Sequence, residues 1–110
     1  MMIKELKIDE IADTIFKRAR GLMFRKKPKR LLFIFEEEGI YPIHSYFVFF
    51  NFDAIYLDKN MKIIEIFENI KPFTTLIKPT KKVKYLLELE VESVKKLNLH
   101  KNSIIKTKLR

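Results

Sequence analysis

The chain has 110 residues, of which 47% are hydrophobic and 34% charged, and its net charge is +9. That length suits one compact domain, which we place at residues 1–110. The absence of cysteine excludes disulfides, thiolate nucleophiles and cysteine-ligated zinc. No stretch has the apolar length of a signal sequence or a membrane span. We therefore expect a cytoplasmic, monomeric protein that does not partner a membrane.

The chain begins with a predicted strand and a predicted helix. Residues 3–8 alternate loosely between apolar and polar and predict a short strand. Apolar residues recur at helical spacing from Ala12 to Leu22, with Asp13 as the expected N-cap. Gly21 is where a left-handed residue would end the helix.

The middle of the chain predicts three or four short strands. The apolar run at 31–35 predicts a buried strand, whereas 36–42 (EEEGIYP) contains Gly and Pro and is expected to be a loop. Residues 43–50 and 53–58 are apolar on both strand faces, which is typical of central strands. Residues 62–68 predict their hairpin partner.

The last third predicts a long loop at 71–82, a strand at 84–90, a helix at 92–97 and a strand at 103–109. Asn98 can end the second helix in the left-handed conformation. The helices do not alternate with the strands. The pattern thus predicts an α+β fold with a curved, mainly antiparallel or mixed, barrel-like sheet of six or seven strands and two short helices.

Positive charge is concentrated in three stretches without acids, of which residues 95–110, with six positive charges, are expected to form a solvated surface. Residues 17–30 carry eight positive charges, and residues 71–84 carry five lysines. Together they predict either a solvated surface or a basic face for nucleic acid or another polyanion. The nucleic-acid alternative would use Arg25, Lys26, Lys27, Lys29, Arg30, Lys78, Lys81 and Lys82.

Four segments resemble, in order and in register, a prokaryotic family named domain of unknown function 192. They are ADTIFKRARGLMFR, PIHSYFVFFNFDAIYLD, IKPF and KYLLELEVESVKKLNL. The resemblance implies a compact α+β domain with a curved, mainly antiparallel sheet. It implies no established activity, cofactor or catalytic residue.

The chain departs from the family pattern at several positions. Phe49 replaces a common arginine, which removes or moves the role of that guanidinium. Met61 replaces the usual glycine of the hairpin turn, so the left-handed position would shift to Asn60. Asn98 and Asn102 replace glycines, a swap that a left-handed backbone tolerates.

Asp53 interrupts an apolar strand and shares its parity with Ile55 and Leu57. We expect it to be buried and to accept hydrogen bonds from backbone N–H groups or from an arginine. The candidate arginines are Arg18, Arg20 and Arg25. A structural link between the GLMFR turn and the sheet is favoured over catalysis.

His44 begins the aromatic segment that Asp53 closes. In a purely structural role, His44 would bond to a backbone carbonyl. In a functional role beside Asp53, it would contact a ligand or transfer protons in a hydrolase. We assign no catalytic residue, metal ligand or cofactor. Glu88 and Glu90 share one strand face and are expected to face solvent. The favoured hypothesis is a non-catalytic small-ligand-binding or accessory domain, whose site would comprise Arg18, Arg20, Met23, Arg25, His44 and Asp53.

Overall fold

A computed structural model describes residues 2–110, which contain seven strands and two short helices. Their bounds, in chain order, are β1 (Ile3–Ile8), β2 (Glu10–Ala12), α1 (Ile15–Arg20), β3 (Leu31–Gly39), β4 (Phe52–Leu57), β5 (Ile63–Ile70), β6 (Val83–Glu90), α2 (Ser93–Lys96) and β7 (Ile104–Leu109). No helix in this described part of the chain has the length and apolar character needed to cross a membrane.

The strands form two sheets. The larger has the order β2-β3-β6-β4-β5, with β2 parallel to β3 and all other pairs antiparallel. The smaller pairs β1 with β7 in parallel. An isolated bridge between Lys62 and Ile104 links the two sheets, but the strands are not paired into a closed barrel. The predicted α+β class with a mixed sheet of six or seven strands is confirmed.

The larger sheet is buried on both faces, because successive residues of its central strands enter two separate hydrophobic clusters, one on each side. On the first face, β3, β4 and β6 contribute a cluster that includes Phe33, Tyr56 and Leu86. The loops between the strands cover this face with Leu22, Val48 and Ile77. The second face packs on β1, β7 and α2 through Leu32, Ile55, Leu57, Leu87, Leu89, Leu6, Ile8, Ile105, Val94 and Leu99.

The strand predicted at 43–50 is wrong. Only Ile43 forms a bridge, with Ile77, and the chain then turns instead of extending. The cause is Ser45, whose buried hydroxyl donates to the Lys71 carbonyl at 2.6 Å and accepts from Thr74 N–H at 2.7 Å. These bonds hold the segment against the 71–82 loop rather than beside a strand.

Three local predictions also need correction. The loop expected at 36–42 begins as strand, since β3 continues to Gly39. The N-cap of α1 is Thr14 and not Asp13, because the Thr14 hydroxyl accepts from the N–H of Lys17. In the β4–β5 hairpin, Met61 itself takes the positive φ of 62°.

The predicted helix ends are confirmed. Gly21 follows α1 with φ 48° and ψ −124°, a conformation that essentially requires glycine. Asn98 follows α2 with φ 54°, within the left-handed region that asparagine tolerates. Both stops depend on local backbone chemistry, which is why the sequence located them.

Candidate functional site

A cavity of about 180 Å³ lies on the first face of the larger sheet, beneath the end of α1 and the segment that precedes β4. This is far below the roughly 300–1,000 Å³ of pockets for drug-sized ligands. We call it the Glu88 cavity. Its principal lining residues are Arg18, Gly21, Met23, Phe33, His44 and Glu88.

Glu88 is the most unusual group in the cavity. It lies in β6 opposite Leu31 of β3 and Ala54 of β4, in the middle of the sheet, and is only 5% exposed. Its Oε1 has no hydrogen-bond partner among the described residues. Burial raises the pKa of the Glu88 carboxyl to about 8, although the Arg25 guanidinium opposes this rise. The carboxyl is therefore mainly protonated at neutral pH.

Gly21 gives the Glu88 carboxyl its space. A Cβ at this position would lie 3.2 Å from Glu88 Oε1 and 3.1 Å from Phe33 Cζ. The positive φ of Gly21 adds strain to any side chain. The same glycine thus ends α1 and keeps the cavity wall open beside the buried carboxyl.

His44 and two arginines supply the other polar groups of the cavity. His44 Nδ1 accepts the Tyr46 N–H at 3.1 Å, so the neutral ring carries its proton on Nε2 as a donor. Arg18 Nη1 donates to the carbonyls of Asp13 and Ile34, each at 3.0 Å. Arg20 is exposed and contributes a second guanidinium to the lining.

The structure brings together four of the six residues predicted for the ligand site, namely Arg18, Arg20, Met23 and His44. Arg25 does not line this cavity. It forms a two-pronged ion pair with Glu10 at 2.6 and 3.1 Å and donates from Nε to the Gly21 carbonyl. The bond from Arg25 lowers the pKa of Glu10.

Asp53 lies on the opposite face of the sheet. It is fully buried, and its two carboxylate oxygens accept the N–H groups of Asn69 at 2.9 Å and Val94 at 3.0 Å. The predicted burial and backbone donors are confirmed. Of the two expected kinds of donor, the backbone is the one found, and no arginine bonds to Asp53 among the described residues. The predicted link to the GLMFR turn is wrong, since Asp53 joins β4 to β5 and α2. Because His44 lines the first face, the structure does not assemble His44 and Asp53 as a hydrolytic pair.

Sequence reasoning missed Glu88, which it placed in solvent with Glu90. The available signal was parity, since Glu88 shares its strand face with Leu86, a buried residue of the first face. Glu90 lies at the strand end and is partly exposed, and its carboxylate binds the Arg30 guanidinium at 2.6 to 3.0 Å. This bond lowers the pKa of Glu90 and raises that of Arg30.

Two of the residues predicted for nucleic-acid contact are therefore engaged elsewhere: Arg25 binds Glu10, and Arg30 binds Glu90. The remaining six are exposed, namely Lys26, Lys27, Lys29, Lys78, Lys81 and Lys82.

A larger depression of about 480 Å³ lies between β2 and α1, and its partly buried charged groups, Asp9, Glu10 and Arg25, are paired. Arg25 there binds Glu10, and Asp9 accepts the Arg30 N–H at 2.8 Å. Across residues 2–110, no three His, Asp or Glu side chains converge as a metal site would require. The Glu88 cavity is thus the better candidate, because it alone of the two holds the unpaired buried carboxyl.

The fold is that of an α+β domain with a mixed sheet. The chain matches the family model of domain of unknown function 192, described as "Uncharacterized ACR", over residues 4–107. It belongs to this family.

Similar proteins occur in archaea and bacteria. A UPF0127 protein of Pyrococcus horikoshii is 36% identical over 80 residues, covering 71% of this chain and 68% of the relative. A UPF0127 protein of Pyrococcus abyssi is 35% identical over 81 residues, covering 72% and 68%.

A solved structure from Sinorhizobium meliloti, provisionally described as a transcription regulator, has a TM-score of 0.79 and 27% identity, with coverage of 84% of this chain and 74% of the other.

Proposed function

We propose that this protein is a non-catalytic domain that binds a small polar molecule in the Glu88 cavity. The observation that carries the proposal is the unpaired, buried Oε1 of Glu88 at the cavity wall. We also propose that the protein is cytoplasmic, as expected from the sequence. Fractionation of the source cells would test this location.

The energetic cost of leaving the buried Glu88 carboxyl without a hydrogen bond indicates that it has a partner in the functional state. An unsatisfied buried polar group costs roughly 1–3 kcal/mol, a large fraction of the stability of a small domain. Leucine or methionine would fill this strand position without that cost. A ligand hydroxyl, amide or amine that reaches Oε1 would recover the missing hydrogen bond.

The surrounding groups restrict the chemistry of the ligand. Arg18 and Arg20 favour an anionic group, and the His44 Nε2–H is a further donor. Phe33 and Met23 provide apolar contact for a short carbon skeleton. The best match is a small hydroxy or amino carboxylate, with its carboxylate toward the arginines and its hydroxyl or amine toward Glu88.

The test is a titration of the ¹⁵N-labelled protein with small carboxylates, such as lactate, glycerate and alanine, followed by NMR. We expect saturable shifts at the amides of Gly21, His44 and Glu88 with at least one compound. Ala19, which is exposed and lines the cavity, offers a blocking variant, Ala19→Leu, that leaves the sheet core unchanged.

Ala19→Leu should abolish the shifts, and Glu88→Leu should weaken them at least tenfold. Lys17→Leu is the matched control, because Lys17 is also an exposed α1 residue but does not line this cavity. Shifts that persist unchanged in Ala19→Leu, or a complete absence of saturable binding across the carboxylates, would refute the proposal.

A further inference from the structure

Four phenylalanine rings form a connected, exposed cluster outside the Glu88 cavity. Their exposed fractions are 62% for Phe24, 45% for Phe47, 60% for Phe49 and 52% for Phe73. The rings of Phe24 and Phe47 are stacked with centroids 5.0 Å apart. Phe73 forms T-shaped pairs with Phe47 and Phe49, with centroids 5.9 and 6.2 Å apart. We call this set the phenylalanine cluster. Three loops that are distant in sequence build it.

The backbone holds the phenylalanine cluster in place at an energetic cost. Phe24, Phe47 and Phe73 have φ values of 60°, 59° and 58°, a region that bulky residues rarely occupy. Phe24 N–H donates to the Phe47 carbonyl, and Phe73 N–H donates to the carbonyl of Ser45, both at 2.9 Å. Strained backbone and exposed aromatic surface coincide here, which indicates a surface shaped for a partner.

The loops that carry the cluster contain no acidic residue. Residues 14–35, 39–52 and 69–87 lack Asp and Glu, while the first and last of these ranges hold eight and five Lys or Arg. Exposed lysines follow or precede the rings in sequence, with Lys26 and Lys27 close after Phe24 and Lys71 close before Phe73. The chemical complement of this surface is a polyanion that carries flat apolar groups.

We propose that the phenylalanine cluster binds single-stranded nucleic acid, with unpaired bases on the ring faces and phosphates on the neighbouring lysines. Base stacking on exposed aromatic rings combined with backbone neutralisation is the general mode of sequence-tolerant single-strand binding. A duplex would hide the base faces that the rings need. An anionic membrane is the weaker match, because the cluster lacks the Trp and Tyr that anchor proteins at the headgroup level.

The test is fluorescence anisotropy of labelled dT12 and U12 with the whole protein in 25 mM NaCl, at protein concentrations up to about 100 µM, the weak end of non-specific affinity. We expect saturable binding that weakens steeply as salt rises. Phe24→Ala and Phe49→Ala should each weaken it about tenfold or more, since each removes a stacking ring. Lys26→Gln should lower the slope of log affinity against log salt by about 0.7, as expected for one lost single-strand phosphate contact.

Phe16→Ala is the matched control, because Phe16 is 87% exposed but lies outside the cluster, and it should bind as the parent does. Glu88→Gln should also bind normally, so failure of this proposal can be distinguished from failure of the small-molecule proposal. Thermal midpoints of all variants show whether they remain folded.

Three results would overturn the proposal. The first is no anisotropy change at 25 mM NaCl, and the second is equal affinity in the parent and in both folded variants, Phe24→Ala and Phe49→Ala. The third is that the protein sediments with vesicles made of equal amounts of phosphatidylglycerol and phosphatidylcholine but binds no oligonucleotide.

Discussion

Replacement of Glu88 by glutamine is expected to remove a pH dependence of the free energy of unfolding. The folded carboxyl has a pKa of about 8 because burial disfavours its charge, whereas in the unfolded chain it titrates near 4.5. Between these values the folded protein holds one proton that the unfolded chain has released. Stability therefore falls as the pH rises through this window.

The slope follows from proton linkage. One proton of difference changes the free energy of unfolding by about 1.4 kcal/mol per pH unit, so the parent should lose roughly 3 kcal/mol from this group between pH 5 and pH 7. Glutamine cannot titrate. The free energy of unfolding of Glu88→Gln minus that of the parent should therefore rise by roughly 3 kcal/mol from pH 5 to pH 7. Any pH-independent effect of the substitution does not change this rise.

Urea unfolding at pH 5, 6, 7 and 8, followed by circular dichroism because the chain has no tryptophan, measures this difference. With a urea slope of about 1–3 kcal/mol per molar for a small protein, the relative midpoint should move by roughly 1–3 M. Glu90→Gln on the same strand is the control. The pKa of Glu90 is lowered by its bond to Arg30, so its difference curve should stay flat above about pH 5.

A Glu88→Gln difference that is flat from pH 5 to pH 8 would refute the reasoning. Such a result would mean that Glu88 titrates in the folded protein as it does in water, and that the carboxyl is hydrated or paired.

Three further changes test other parts of the structure. Asp53→Ala leaves two backbone N–H groups without their acceptor and should lower the free energy of unfolding by roughly 3 kcal/mol, since each unpaired buried donor costs about 1–3 kcal/mol; an unchanged urea midpoint at pH 7 would contradict the structural role. Gly21→Ala places a Cβ 3.1 Å from Phe33 Cζ at φ 48° and should lower the free energy of unfolding by roughly 2 kcal/mol in the same assay, through backbone strain and crowding; a loss below about 0.5 kcal/mol would contradict close packing around Gly21. Arg30→Gln should cost about 1 kcal/mol at pH 7, because it removes a partly exposed ion pair with Glu90; this contribution is present above the ordinary glutamate pKa and is lost as the pH falls through the lowered pKa of Glu90, so an equal cost at acidic pH would exclude the ion pair as its cause.

The candidate site was only partly predictable from sequence. Of the six residues grouped from the sequence, Arg18, Arg20, Met23 and His44 line one cavity, because α1 and its exit lie beside the segment that precedes β4. Glu88 was missed because the register that places it between Leu31 and Ala54 is a pairing of three distant strands.

Asp53 shows which of its properties are local to the strand and which depend on the tertiary structure. Its strand parity predicted burial, and parity is a local property of an extended chain. Its donors belong to Asn69 and Val94, 16 and 41 residues away, and no local pattern encodes such partners. The sequence therefore left both an arginine and the backbone open as donors, and the structure shows the backbone.

By itself, the sequence determined the features that depend on neighbouring residues. Alternation and short apolar runs located most strands, and Gly21 and Asn98 located the helix ends, because left-handed backbone is open to few residue types. Only the tertiary structure decided that 43–50 is a turn rather than a strand, since Ser45 bonds to Lys71 and Thr74 across the chain. It also decided which of two glutamates on one strand face is buried: Glu88 lies beneath Gly21 in the middle of the sheet, while Glu90 reaches Arg30 at the strand end. Parity indicates which face a residue is on, but which positions of that face are covered, and by which partners, depends on what folds against the strand.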